Sequence, residues 1–136
     1  MSEFDELIGR LAAATEGSAE LDAAVISHLV GAKMEYVERA GRWCLYRDGT
    51  DPKGNARLWA PRGDDEYRLY RFLVDGRGPT RSLDAALPGE RIIKTEIDAD
   101  GWHATALTVD GRSVYGFGKT EALARRIAAL RAGAAE

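Results

Sequence analysis

Apolar side chains recur every three or four residues near the start of the chain, a spacing typical of amphipathic helices. The first set is Phe4, Leu7, Ile8 and Leu11, and the second is Leu21, Val25, His28 and Leu29. Ser2 and Ser18 are placed to cap these helices, because a serine side chain accepts hydrogen bonds from the first helical amides. Gly17 separates the two sets and Gly31 follows the second. Residues 1–32 are therefore predicted to form a helical pair.

The middle of the chain, residues 33–79, has a less regular pattern. The stretch RWCLYRDG, residues 42–49, alternates between two faces and predicts a β-strand that Asp48-Gly49 would end. TDPKGN and APRGDDE are rich in turn-forming residues. We interpret YRLYRFLVDG, residues 67–76, as a strand or an extended arm. The segment as a whole is predicted to be irregular β structure.

Residues 80–136 alternate more clearly and predict a helix, a three-stranded antiparallel meander and a second helix. Ser82 is placed to cap a short helix over residues 83–87, which Pro88 would end. The strand segments are RIIKTEI, WHATALTV and SVYG, and the Asp-Gly pairs between them, 100–101 and 110–111, are typical of hairpin turns.

The same spacing predicts which side chains of this part share a face. Ile93, Thr95 and Ile97 would share one face of the first strand. Thr120 would cap the last helix, and its apolar stripe would face the sheet; the stripe is Leu123, Ile127 and Leu130. The basic residues are predicted to lie near the ends of that helix or on its outer side; they are Lys119, Arg125, Arg126 and Arg131.

Length and composition are typical of a single globular domain spanning residues 1–136. The chain has 136 residues, 45% of them hydrophobic and 30% charged, which suits one core and a solvated surface. The acidic N-terminus does not resemble a signal peptide, and no apolar run is long enough to span a bilayer. The single cysteine, Cys44, fits a reducing compartment. We therefore expect a cytoplasmic protein that does not bind membranes.

The sequence GFGKT, residues 116–120, resembles the end of a phosphate-binding P-loop. A P-loop needs a glycine five positions before its Gly-Lys-Thr glycine, and Ser113 occupies that position here. The preceding strand also belongs to the predicted meander and not to a parallel βαβ unit. The motif is therefore interpreted as a glycine turn and a helix cap.

The other reactive residue types do not form a recognisable catalytic or metal-binding pattern. His28 and His103 have no cysteine or histidine at ligand spacing. Cys44 has no nucleophile-activating partner close in sequence, and Asp64-Asp65-Glu66 is interpreted as a solvated loop. We expect no enzyme activity, no metal site and no cofactor, although a site assembled from distant residues stays possible at this point.

Aromatic and arginine residues alternate in the central segment. Such mixtures form the energetic centre of many protein interfaces, and they also stack nucleobases. The alternative is a small apolar cluster beneath long loops. The predicted partner-binding residues are Trp59, Tyr67, Arg68, Tyr70 and Arg71.

Four stretches resemble the phage ABA sandwich domain, a family of small phage and prophage proteins. They are LIGRLAAATEGSAELDAAVISHL, TRSLDAALPGERIIK, GWHATAL and GKTEALARRIAALRA, and they cover roughly residues 5–30 and 80–132. The resemblance implies a three-layer α/β/α sandwich with an antiparallel sheet, encoded in phage or integrated phage DNA. The family carries no established activity, so it implies no catalytic residues. Around Pro88 this chain departs from the family, whose members have a longer apolar stretch there.

Two functions follow as hypotheses. The first is a non-enzymatic phage or prophage protein that docks on a host or phage protein, in its most specific form an anti-CRISPR-like inhibitor of a bacterial defence complex. The second is nucleic-acid binding, because helix, three strands and helix is the order of a double-stranded-RNA-binding domain. The net charge of −3, and a final helix that begins with only one lysine, disfavour the second.

Overall fold

The computed structural model describes residues 2–31, 33–39, 41–50, 56–58 and 63–134. Trp59, one of the predicted partner-binding residues, lies outside them. The elements follow in the order α1 (Glu3–Ala13), α2 (Ala19–Val30), β1 (Lys33–Val37), β2 (Arg42–Thr50), β3 (Ala56–Leu58), α3 (Gly63–Val74), β4 (Ile92–Ile97), β5 (Trp102–Leu107), β6 (Ser113–Gly118) and α4 (Glu121–Ala134). None of the described helices is long and apolar enough to cross a membrane.

The strands form two antiparallel sheets, ordered β1-β2-β3 and β4-β5-β6. The second is the predicted meander, and its links carry Asp98–Gly101 and Thr108–Arg112 turns closed by backbone hydrogen bonds. Helix α4 packs on β5 and β6, and α1 packs on α4. The predicted class, a mixed α and β sandwich with antiparallel sheets and a helix–meander–helix order at its C-terminal end, is confirmed, with α3 as the helix before the meander.

The predicted helical pair is also confirmed, with its caps. The Ser2 hydroxyl accepts a hydrogen bond from the Asp5 amide at 3.1 Å, and the Ser18 hydroxyl accepts one from the Leu21 amide at 3.1 Å. Gly31 ends α2 in the left-handed conformation that glycine adopts without strain. The buried stripe of α2 differs from the prediction: it includes Ile26, whereas Leu29 is 40% exposed.

The core lies among the helices, and this corrects the predicted orientation of α4. Leu123, Ile127 and Leu130 belong to a cluster formed mainly by buried residues of the other helices, and of the three only Leu123 is seen beside the sheet, at Gly118 of β6. The sheet contacts the opposite stripe of α4, where Ala124 and Ala128 meet alanines of β5. Small side chains let a helix approach a sheet closely, so the leucines point to the wider gap between helices.

The register of β4 differs from simple alternation. Ile92 pairs with Ala106, and Lys94 pairs with Thr105, so the strand contains a β-bulge between Ile92 and Lys94. The bulge leaves Ile93 exposed and places Ile92, instead of Ile93, against α4. The prediction that Ile93 shares one face with Thr95 and Ile97 is therefore wrong, because Ile92 takes that place.

Two predicted elements are corrected. Residues 67–76, interpreted as a strand or arm, belong mostly to helix α3, as does the predicted Asp64–Glu66 loop. Residues 83–87 form a turn followed by irregular loop instead of a helix. A helix there needs the carbonyls of Ser82 and Leu83 for its own amides, and the Arg126 guanidinium binds both at 2.8 and 2.9 Å.

Candidate functional site

Helix α3 is held to the molecule by one apolar stripe. Leu69 and Leu73 are spaced by one helical turn and are buried among the leucines of the core. The acidic first turn suits the positive end of the helix dipole. The burial of Leu69 and Leu73 therefore determines which face of α3 is exposed to solvent.

The C-terminal end of α3 folds back on the helix. The Arg77 amide donates to the Phe72 carbonyl at 2.9 Å, and the Gly76 amide donates to the Leu73 carbonyl at 3.1 Å. Gly76 has a φ of 75°. This pair of bonds is a Schellman motif, which turns the chain sharply at a left-handed glycine. The turn places Arg77 beside Phe72.

Two guanidinium groups lie near the Phe72 ring. The Arg77 carbon Cζ is 5.4 Å from the ring centroid, and that of Arg68 is 5.8 Å from it. Both distances allow a cation–π attraction. Arg68 also donates to the Ala86 carbonyl at 2.7 Å, which holds the loop after α3 against the helix.

These residues form the α3 surface, a shallow groove of about 300 Å³ lined by Tyr67, Arg68, Arg71, Phe72, Asp75 and Arg77. Tyr67 is 54% exposed, and Arg71 is exposed as well. Asp75 is 3.9 Å from the Arg77 guanidinium. The groove therefore combines aromatic area with an excess of positive charge.

A buried carboxylate positions the loop that leads away from α3. Asp22 of α2 is fully buried, and its Oδ1 accepts hydrogen bonds from the Thr80 amide at 2.7 Å and from the Thr80 hydroxyl. Its Oδ2 accepts from Arg81 Nε at 2.6 Å. Gly78 lies so close to this carboxylate that a side chain there would collide with it.

Arg126 of α4 fixes the next part of the same loop. Its fully buried guanidinium donates to the carbonyls of Pro79, Ser82 and Leu83 and to both carboxylate oxygens of Glu90. Burial raises the pKa of Glu90 against the opposing attraction of Arg126, and burial lowers the pKa of Arg126. Asp22 and Arg126 together hold residues 79–90 in place, and with them the Ala86 carbonyl that receives Arg68.

The structure brings together three of the residues predicted from the sequence and separates a fourth. Tyr67, Arg68 and Arg71 share the α3 surface. Tyr70 is half-buried and packs against the core, on another side of the helix. The partner-binding assignment itself stays a prediction for all of them.

Sequence reasoning missed the residues that complete and support the groove: Phe72, Asp75, Arg77, Asp22 and Arg126. For Arg126, the spacing of apolar residues in the sequence did indicate burial. Arg126 follows Leu123 by three positions and precedes Leu130 by four, so it lies on the apolar stripe and not, as predicted, on the outer side of α4. A charged residue in that position indicates a buried partner.

The remaining candidate residues make contacts that support the fold. The Leu123 amide donates to the Thr120 hydroxyl at 3.2 Å, so the predicted helix cap is confirmed. His28 lies against Phe4, and Cys44 is buried. Within the described part of the chain, no group of three or more histidine, cysteine or acidic side chains is arranged to hold a metal ion.

Comparisons with known proteins add no relative. No protein-family model, curated protein or solved structure matches this chain.

Proposed function

We propose that this chain is a non-enzymatic binding protein that presents the α3 surface to a protein partner. The observation that carries the proposal is the outward face of α3, where Tyr67 and Arg71 are exposed beside two further arginines. Tyrosine and arginine are the residue types enriched at the centres of protein interfaces. Their exposure on a firmly anchored helix is what an interface needs.

The rigidity of the groove supports the same proposal. Leu69 and Leu73 anchor the helix, and Arg68 is bound to the Ala86 carbonyl. A surface that is ordered before binding loses less conformational entropy on association. The exposed arginines favour a partner segment that carries carboxylates, because arginine binds carboxylates with two parallel hydrogen bonds.

The origin and partner form the finer part of the proposal. The resemblance of residues 5–30 and 80–132 to the phage ABA sandwich domain supports a phage or prophage protein acting in the bacterial cytoplasm. Its most specific version is an anti-CRISPR-like inhibitor of a defence complex. Duplex nucleic acid is a weaker candidate, because Arg125 at the start of α4 is paired with Glu121 at 2.9 Å and the chain is acidic overall.

The test uses paired variants in a capture experiment from bacterial lysate. The immobilised protein and its Tyr67→Ala and Arg71→Glu variants are compared, with Tyr36→Ala as the control because Tyr36 is also exposed but lies on β1. A partner retained by the wild type and the control, and lost from both α3 variants, supports the proposal. A captured partner that is unaffected by Tyr67→Ala and Arg71→Glu contradicts it.

Stability measurements separate an interface from a core role. Tyr67→Ala should change the free energy of unfolding by less than about 0.5 kcal/mol, as is usual for surface substitutions. Leu69→Ala, two positions away and fully buried, should cost about 2–5 kcal/mol. A Tyr67→Ala loss as large as that of Leu69→Ala, measured by urea unfolding, would show that Tyr67 belongs to the core.

A further inference from the structure

The meander has one face that α4 does not cover. Gly116 and Gly118 of β6 pack directly against the backbone of α4, so the residues between and before them point to the opposite face. That outer face carries Tyr115 and Phe117 from β6, and His103 and Thr105 from β5. Tyr115 is 64% exposed, although it is large and aromatic.

The aromatic rings of this face are neighbours. His103 is paired with Phe117 across the strands, and their ring centroids are 5.1 Å apart. Tyr115 precedes Phe117 by two residues on the same face of β6, which places their Cα atoms about 6.8 Å apart. The rings border a depression of about 390 Å³, which is lined by Lys94, Glu96, His103, Ala104, Thr105, Tyr115, Gly116, Phe117 and Arg131. We call these residues the sheet platform.

The charges around the sheet platform leave a positive excess. Glu96 of the platform lies 2.7 Å from Lys94, and Asp98 next to the platform is hydrogen-bonded to His103 at 2.7 Å. Lys94, Lys119 and Arg131 outnumber these two acids by one charge. Lys119 lies over the Phe117 ring at 5.3 Å, and Arg131 donates to the Tyr115 carbonyl at 2.8 Å. Neither of these two cations has a carboxylate partner among the residues that the structure describes.

We propose that the sheet platform binds single-stranded nucleic acid, with bases stacked on Tyr115 and Phe117 and phosphates held by Lys119 and Arg131. Antiparallel sheets that present neighbouring aromatic residues bind unpaired bases in this way, and cations beside them hold the backbone. This site is separate from the α3 surface and adds a second ligand to the proposed function.

The dimensions of the platform argue against a second copy of this chain as the occupant. Three strands of six residues span roughly 20 by 14 Å, or about 300 Å². A stable protein interface buries about 800 Å² on each partner. The platform is therefore large enough for two or three nucleotides but too small to hold a dimer by itself.

Fluorescence anisotropy with a labelled single strand tests the proposal. The probe is a single-stranded, mixed-sequence RNA of about 12 nucleotides, measured at low salt. Single-stranded DNA of the same sequence and the corresponding duplex are measured for comparison. Saturable binding of the single strand, about tenfold weaker in Tyr115→Ala and unchanged in Tyr36→Ala, supports the site. Arg131→Gln should make the slope of log K against log salt concentration shallower, by the amount expected for the loss of about one phosphate contact.

Three results would overturn the proposal. They are no saturable binding of either single strand, equal weakening in Tyr36→Ala, and duplex bound as tightly as the single strand. Analytical ultracentrifugation is run on the same variants, and self-association that disappears in Tyr115→Ala would assign the platform to a second copy instead. Tyr67→Ala changes the α3 surface and should retain nucleic-acid binding. A negative result for the sheet platform is therefore independent of a negative result for the α3 surface.

Discussion

The guanidinium of Arg126 and the carboxylate of Glu90 form a buried ion pair, with Nη1 2.9 and 2.8 Å from the two carboxylate oxygens. The pair joins α4 to the loop that precedes β4, in which Pro79, Ala85 and Leu87 are also buried. The remaining donors of Arg126 bind three carbonyls of that loop. The hydrogen bonds of Arg126 therefore hold residues 79–90 in place, although these residues form neither a helix nor a strand.

Removing Arg126 should be strongly destabilising. Arg126→Met leaves the Glu90 carboxylate buried without its partner, a change that typically costs about 3–5 kcal/mol. Arg125→Met is the matched control, because Arg125 makes only a partly exposed pair with Glu121, worth less than about 1 kcal/mol. Urea unfolding of the two variants measures the difference. Equal losses would show that Arg126 is not the main support of the loop.

The pH dependence of stability should reveal the raised pKa of Glu90. A raised folded-state pKa means that the folded protein holds this proton more tightly than the unfolded chain. The stabilising contribution of Glu90 is therefore fully present below about pH 4.3, the pKa of glutamate in the unfolded chain. It is lost as the pH rises through the pKa of Glu90 in the folded protein. Glu90→Gln does not titrate at this position, so the stability of the wild type relative to Glu90→Gln should fall as pH rises from about 4.3 to the raised pKa of folded Glu90, and stay level above it.

Urea unfolding of both proteins from acid to neutral pH makes this measurement. Asp98 and Asp110 act in the opposite direction, because hydrogen bonds, mainly from the Asp100 amide and the Thr108 hydroxyl, lower their pKa values. They are present in both proteins and cancel in the comparison. A wild type that gains stability over Glu90→Gln with rising pH would mean that the attraction of Arg126 outweighs burial.

The contact between β6 and α4 should tolerate no side chain at its glycines. A Cβ at Gly118 would lie 2.7 Å from the Ala124 nitrogen, and one at Gly116 would collide with the Ala124 carbonyl. Gly116→Ala and Gly118→Ala should therefore lower the melting temperature markedly. Gly133 in α4 has open space around it, so Gly133→Ala should be neutral or stabilise by up to about 1 kcal/mol. Similar melting temperatures for all three variants would contradict this packing.

The GFGKT sequence should behave as a helix cap. Thr120→Ala removes the hydroxyl that accepts from the Leu123 amide and should cost about 1 kcal/mol. Lys119→Ala should leave stability almost unchanged, because Lys119 is exposed. Calorimetry with ATP and magnesium provides the decisive check. Saturable, magnesium-dependent ATP binding that is lost in Lys119→Ala but retained in Tyr115→Ala would show that the motif itself holds phosphate.

Local chemistry allowed several elements to be predicted from the sequence. Helices α1, α2 and α4 and the meander depend on caps, apolar spacing and Asp-Gly turns, all of which act within a few residues. Helix α3 was mistaken for a strand because its aromatic and arginine residues mask the four-residue spacing of Leu69 and Leu73. Tyr67, Arg68 and Arg71 were identified by residue type, but nothing in the sequence placed them on one helical face with Arg77.

The sequence by itself determined the order of the C-terminal elements, the two N-terminal helices and their caps, since hydrogen bonds and turn preferences between close neighbours are sufficient for these. Tertiary structure decided the rest. Which stripe of α4 meets the sheet depends on how closely alanines and glycines let the backbones approach. Whether residues 83–87 coil into a helix depends on Arg126, 39 to 43 positions later, which binds the carbonyls that such a helix would need. Contacts between distant residues outweigh local preference there, because a buried guanidinium must satisfy all its donors.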